Sequence, residues 1–250
     1  MFGRRILLTE GGANEVRRFR LHDVVEGKDV WVKEAPAGSV PLRAPSGDLC
    51  GFLTQDGKVE VIDVATGKAV LSAAVDANKL DEHLKDGKKF AVVAPTIMAD
   101  VDRCYLFLNR IDDTKGVVQQ WNGQQQIASL QMDGHLYAFS RATGKRLWYT
   151  EGQLKATANQ GNQLGPRVVL DRFDEMPCVV SMSFTQDPQR GQQSAQLLAI
   201  DKKTGVLKGF KEYNGNYGYQ SFTGVYNDKG AIVVTNNQFQ VKMSPDDEKK

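Results

Sequence analysis

The stretch DGKVEVIDVATGK, from Asp56 to Lys68, returns without a gap as DGHLYAFSRATGK, from Asp133 to Lys145. Two further copies follow once the pattern is known. QLLAIDKKTGVLKGF (Gln196 to Phe210) keeps Asp201, Thr204 and Gly205, and RFRLHDVVEGKDVW (Arg18 to Trp31) keeps Asp23, Gly27 and Trp31. Each copy holds a short run of Val, Leu, Ile and aromatic residues, then Asp or Ser, then a Gly four positions on, then a second apolar run. The pattern predicts a β-hairpin. The Asp63 or Asp201 carboxylate bonds the turn amides ahead of it, and Gly67, Gly144 or Gly205 supplies the positive φ that the turn requires.

A second unit precedes each hairpin: Pro95 to Leu108, Pro166 to Met182, Ser221 to Val234 and, more loosely, Leu42 to Leu53. These segments read as two short strands joined by a tight Asp, Asn or Gly turn. Hairpin plus hairpin gives a four-stranded antiparallel sheet. Its strand runs, such as Tyr105 to Leu108 and Leu197 to Ile200, are apolar on both alternating faces, as in a sheet covered on both sides. Sheets of this kind repeated along a chain make an all-β fold of the β-propeller type. About five blades are visible between residues 1 and 243, with residues 244–250 as a solvated tail.

Composition narrows the function classes. Lys plus Arg (32) against Asp plus Glu (30) leaves a formal charge of +2. The basic residues are scattered, so the clustered cations that nucleic-acid binding needs are not offered. The opening MFGRRILLTEGG has too short an apolar run for a signal peptide or a membrane span. Three cysteines with no close spacing fit neither a disulfide framework nor a zinc site. In the repeat frame Cys50, Cys104 and Cys178 each fall at the start of a blade's second strand, and are expected as buried thiols held apart.

The Asp-x-x-Thr-Gly-Lys hairpins resemble the repeat of the pyrroloquinoline-quinone-like (quinoprotein-type) β-propellers. The resemblance runs from about Arg4 to Met243. It implies that Trp31 and Trp148, closing their repeats, dock against a neighbouring blade, while Leu71 and the Gly209–Phe210 region hold that slot in the other copies. Propellers of this family have seven or eight blades, so the chain is expected to be an incomplete propeller, a C-terminal fragment of one, or one completed by a partner. The structural residues of the repeat are Asp23, Gly27, Trp31, Asp63, Thr66, Gly67, Thr143, Gly144, Trp148, Asp201, Thr204 and Gly205. The family also implies an extracytoplasmic place.

Function is expected on one rim. The turns inside hairpins are short, whereas segments 76–88, 112–131, 150–165, 185–194 and 213–220 read as long loops rich in Gln, Asn, Gly and Tyr. Binding sites concentrate in such loops, although loop length alone is tolerated at little cost. Trp121, Gln124, Asn159 and Tyr217 are the candidate partner-binding residues. The leading reading is a non-catalytic binding or scaffolding module for a protein partner, or for the remaining propeller blades.

Chemistry is sparse elsewhere. His135 takes the slot of Lys58, His22 takes the apolar slot of Ile62 and Phe139, and His83 lies in a short helical insert around Leu80 and Leu84. No metal spacing links them. The acidic pairs Asp112–Asp113 and Asp174–Glu175 read as solvated turns. No cofactor is expected under the leading reading. The first alternative, a fragment of a quinone-dependent dehydrogenase, would bring the quinone with calcium, yet the adjacent cysteines of those enzymes are absent. The second is a carbohydrate-binding or carbohydrate-active propeller using Trp121 and Tyr217.

Overall fold

Alternation separates strands covered on one face from strands covered on both. In the run LCGFL, from Leu49 to Leu53, every residue is buried, whereas in RRFRLHD, from Arg17 to Asp23, buried and part-exposed residues alternate. The first is a strand covered on both faces, and the second is covered on one. The computed structural model describes residues 3–12, 15–77, 80, 95–109, 118–121, 124–131, 134–154, 164–186, 193–215, 224–229, 231–235 and 240–243.

Twenty strands are formed there. The first sheet contains β1 (Arg5–Glu10), β2 (Arg17–Asp23) and β3 (Lys28–Ala35), in that order. The second contains β4 (Val40–Pro41), β5 (Leu49–Leu53), β6 (Lys58–Asp63) and β7 (Ala69–Ala74), also in chain order. Next along the chain come β8 (Thr96–Ala99), β9 (Arg103–Asn109), β10 (Val118–Trp121), β11 (Gln124–Gln131), β12 (Gly134–Ser140) and β13 (Arg146–Leu154). Strands β8, β9, β12 and β13 form the third sheet, ordered β13-β12-β9-β8.

The fourth sheet has six strands. To β14 (Leu164–Val169), β15 (Cys178–Gln186), β16 (Gln193–Asp201) and β17 (Leu207–Gly215) it adds β11 beside β14, with β10 outermost. The fifth contains β18 (Gly224–Asp228), β19 (Ala231–Thr235) and β20 (Gln240–Met243). The pairings between these strands are antiparallel. The chain divides into two compact units, Met1–Asp112 with Leu136–Leu147, and Asp113–His135 with Trp148–Lys250.

In the first unit the core between the first two sheets is built from Phe19, Leu21 and Ala35 on one side and Cys50, Phe52, Ile62 and Val64 on the other. Leu7 and Trp31 pack against it. The Phe19 and Phe52 rings stack with centroids 6.2 Å apart. In the second unit Val168, Val179, Val180, Leu197, Ala199 and Ile200 are buried on the strands of the six-stranded sheet.

The segment 112–131 departs from the sequence reading, which made it a loop. Most of it is the β10–β11 hairpin, with Trp121 facing Gln124, and β11 continues into register with β14 through Ser129, Leu130 and Gln131. The sequence offers a reason, since Asn-Gly, at positions 122–123, is a dipeptide that favours two-residue hairpin turns. Strands also run into the other expected loops: β13 reaches Leu154, β14 starts at Leu164, β15 reaches Gln186 and β17 reaches Gly215.

Candidate functional site

Four turns share one construction. Asp63 Oδ1 accepts from the Thr66 amide at 2.8 Å and from its hydroxyl at 2.6 Å, and the Gly67 amide donates to the Asp63 carbonyl at 2.8 Å. Asp201 repeats this with Lys203, Thr204 and Gly205. Ser140 receives the Thr143 amide on its hydroxyl at 3.3 Å. Asp23 receives the amides of Val25 and Glu26, each at 3.1 Å. The Asp23 carboxyl is buried, which opposes ionisation, yet those amides and the Arg4 guanidinium at 2.8 Å outweigh it and hold its pKa below the usual value.

The residue after the Asp or Ser ties each turn to the rest of its own sheet. The amides of Val24, Val64, Arg141 and Lys202 donate to the carbonyls of Arg4, Asp48, Asp102 and Pro177. The carbonyls of two of these residues serve a neighbour. Trp31 Nε1 donates to Val64 O at 2.8 Å, and Trp148 Nε1 donates to Lys202 O at 2.9 Å. Each indole lies on the turn glycine. A Cβ added at Gly67 would stand 2.5 Å from Trp31 Cγ, and one at Gly205 2.6 Å from Trp148 Cδ2. Trp31 and Trp148 therefore sit in equivalent seats.

Leu71 holds the corresponding slot on β7 and has no indole to offer. There the Ser72 carbonyl approaches Gly144 so closely that a Cβ would lie 2.3 Å from it. Arg146 Nη1 meets Asp76 Oδ2 at 2.8 Å beside this contact. At the other end of the same seam Arg43 is bridged in parallel to Thr96, with the Arg43 amide on Pro95 O at 2.8 Å and the Ile97 amide on Arg43 O at 2.7 Å.

The first sheet has a charged face. Its other face supplies Phe19 and Leu21 to the core, while Arg18, Arg20 and His22 alternate with them on β2. Glu10, Arg20, Asp29 and His22 form a chain: Arg20 Nε to Glu10 at 3.0 Å, Arg20 Nη1 to Asp29 at 3.3 Å, and His22 Nδ1 to Asp29 at 2.8 Å. Arg18 pairs Glu34 at 3.0 Å. This accounts for His22 in an otherwise apolar slot. Ile62 at the same place is fully buried against the first sheet's core, whereas the His22 side chain remains 26% exposed. Four valines of the same β2–β3 hairpin, Val24, Val25, Val30 and Val32, are exposed.

The three thiols are free and buried. Burial pushes Cys50 up to about 12, and Cys104 and Cys178 up to about 11. His135 is buried, with Tyr149 Oη 2.8 Å from Nδ1. Asp174 and Glu175 are exposed in a turn. Sequence reasoning did not single out Lys202, whose Nζ is buried, bonded to the Phe173 carbonyl and 3.8 Å above the Phe173 ring. It is one of two adjacent lysines between Asp201 and Thr204, and nothing in the sequence separates the buried one from its exposed neighbour.

Of the candidate partner-binding residues, Trp121 and Gln124 are paired in the β10–β11 register. Asn159 and Tyr217 lie outside the described residues, as do His83, Leu84 and Asp112–Asp113. Among the described residues no group of three or more His, Cys, Asp or Glu could hold a metal ion, and no helix is long and apolar enough to cross a membrane.

The arrangement defines an all-β protein of propeller-type antiparallel blades. Neither a protein-family model nor a curated protein sequence matches the chain. Similar solved structures include BamB from Moraxella catarrhalis, at 13% identity and TM-score 0.36, covering 97% of this chain and 54% of that one. The WD40 domain of Toxoplasma gondii coronin matches at 10% identity and TM-score 0.39, over 94% and 52% of the two chains. A europium-containing methanol dehydrogenase matches at 12% identity and TM-score 0.39, over 97% and 47%. The chain spans about half the length of each of these three structures.

Proposed function

We propose that the chain is a non-catalytic, propeller-type module that binds a protein partner, and that the β10–β11 hairpin is part of the contact. The observation that carries this reading is the six-stranded sheet. Its β14–β17 portion matches the four-strand pattern of the second sheet, and the hairpin is an addition to it. From Gly116 to Met132 the sequence has no charged residue and no proline, and β10 includes Trp121, a residue type enriched where proteins meet. Asn159 and Tyr217 enter the proposal on sequence grounds alone. An extracytoplasmic location belongs to the same proposal.

Because residues 116–126 include β10 and the start of β11, deleting them would disturb a sheet. Point substitution is the better experiment. Trp121→Ala and Gln124→Lys, with circular dichroism unchanged, are expected to abolish capture of a partner that the unaltered chain retains from the extract of its own cells. Capture unchanged in both variants overturns the assignment of the hairpin. The quinoprotein alternative is tested by equilibrium dialysis with pyrroloquinoline quinone and calcium. A bound chromophore, or dye-linked alcohol oxidation, would overturn the non-catalytic reading.

A further inference from the structure

The two seams of the first unit are fastened differently. Between the first and second sheets the outer end is closed by the Trp31 indole, which sits on Gly67 and donates to Val64 O. Lys33 and Glu60 add an ion pair at 2.5 Å. Between the second and third sheets the outer end has Leu71 in the indole's slot. Among the described residues Asp76 and Arg146 are joined across it there, with exposures of 56% and 45%. At the inner end of this second seam two main-chain bonds pass through Arg43.

We infer that the first unit opens at the seam between its second and third sheets, with the Arg43 bridge as pivot and the Asp76–Arg146 pair as latch. An exposed ion pair contributes little and is screened by salt. A docked indole brings a hydrogen bond and ring burial together. The two main-chain bonds at Arg43 lie at one point, so they resist separation of the inner strands more than rotation about them. Opening is therefore local and reversible, a sub-global excursion of the folded chain.

The chain carries its own reporters. Cys50 lies two residues after Asp48, whose carbonyl tethers the second sheet's turn, and it packs in the core between the first and second sheets. Cys104 lies two residues after Asp102, the tether of the third sheet, and takes the matching place on β9. Both thiols are buried, so alkylation reads seam opening.

The experiment uses the full chain in two backgrounds. Cys104→Ala with Cys178→Ala leaves Cys50, and Cys50→Ala with Cys178→Ala leaves Cys104. Iodoacetamide labelling of each is measured relative to the same thiol in denaturant. Cys104 is expected to label faster than Cys50. Asp76→Asn should raise the Cys104 rate about two- to fivefold, the factor that an exposed ion pair of up to about 1 kcal/mol represents, and leave Cys50 unchanged. Raised salt should act in the same sense on Cys104. Trp31→Leu, which gives the first seam the second's chemistry, should raise the Cys50 rate about tenfold. The inference is overturned if Cys50 labels as fast as Cys104, or if Asp76→Asn and salt both leave Cys104 unchanged. The Asp76→Asn and salt arms stand by themselves if Trp31→Leu fails to fold.

Discussion

Gly67→Ala and Gly27→Ala are the same chemical change at the same place in two sister turns, and the structure separates their costs. The φ of Gly67 is +70° and that of Gly27 is +64°, so both substitutions incur the left-handed penalty of about 1 kcal/mol. At Gly27 a Cβ meets nothing within 4 Å, whereas at Gly67 it lies 2.5, 2.8 and 2.9 Å from three atoms of the Trp31 ring. The indole must leave its seat. That forfeits the bond to Val64 O, about 1 kcal/mol, and part of the ring's burial, roughly a further 1 to 2 kcal/mol. Gly67→Ala is expected to destabilise by about 3 to 4 kcal/mol in total and Gly27→Ala by about 1. Urea unfolding followed by circular dichroism measures both. In a Trp31→Ala background the gap between them should collapse, since the cycle removes only the ring. Equal losses in the two glycine variants, or a gap that survives without Trp31, would refute the docking argument.

The reverse of a natural exchange makes a second test: Ile62→His places in the buried slot the residue that the first sheet tolerates, and should destabilise by about 2 kcal/mol or more, while His22→Gln stays within about 1, by the same unfolding assay. Asp56, held near 2 by hydrogen bonds from Thr54 and Lys58, should titrate there in a carboxyl NMR titration. Its depressed pKa means that its stabilising contribution is present above about pH 4 and fades as pH falls through 2. The thiols, with pKa raised by burial to about 11 and 12, contribute in the opposite sense. Their share of stability is whole below about pH 8 and is lost as pH rises through those values, so the urea midpoint should fall on going from pH 8 to 10.5, and less so in a variant with all three changed to Ala.

The turns were legible because their chemistry is local. A short oxygen-bearing side chain (Asp63, or Ser140 in its sister) and a glycine four positions on (Gly67, Gly144) suit the turn, and the letters therefore recur with few variants. Trp31 and Trp148 were found through the repeat's family resemblance. Two things escaped a reading made at the level of the repeat. The β10–β11 hairpin hid behind a composition of Gln and Ser that suits a loop, although Asn122-Gly123 was a turn signal in plain view. The charged face was also written in the sequence, as the strict alternation Arg18, Phe19, Arg20, Leu21, His22, but the sister copies share only the apolar positions of this pattern. The Leu71 slot shows a harder limit. A main-chain approach such as Ser72 to Gly144 depends on where two carbon traces pass, and no side-chain pattern encodes it beyond the glycine itself.

The residues at the hub of each turn are Val24, Val64, Arg141 and Lys202, two small hydrocarbons and two long cations doing one job. They join their strands through peptide groups, which every amino acid except proline possesses in full. These junction bonds themselves are therefore indifferent to the side chain, whatever its packing demands, and proline, which has no amide hydrogen, is the replacement that would cut the thread there.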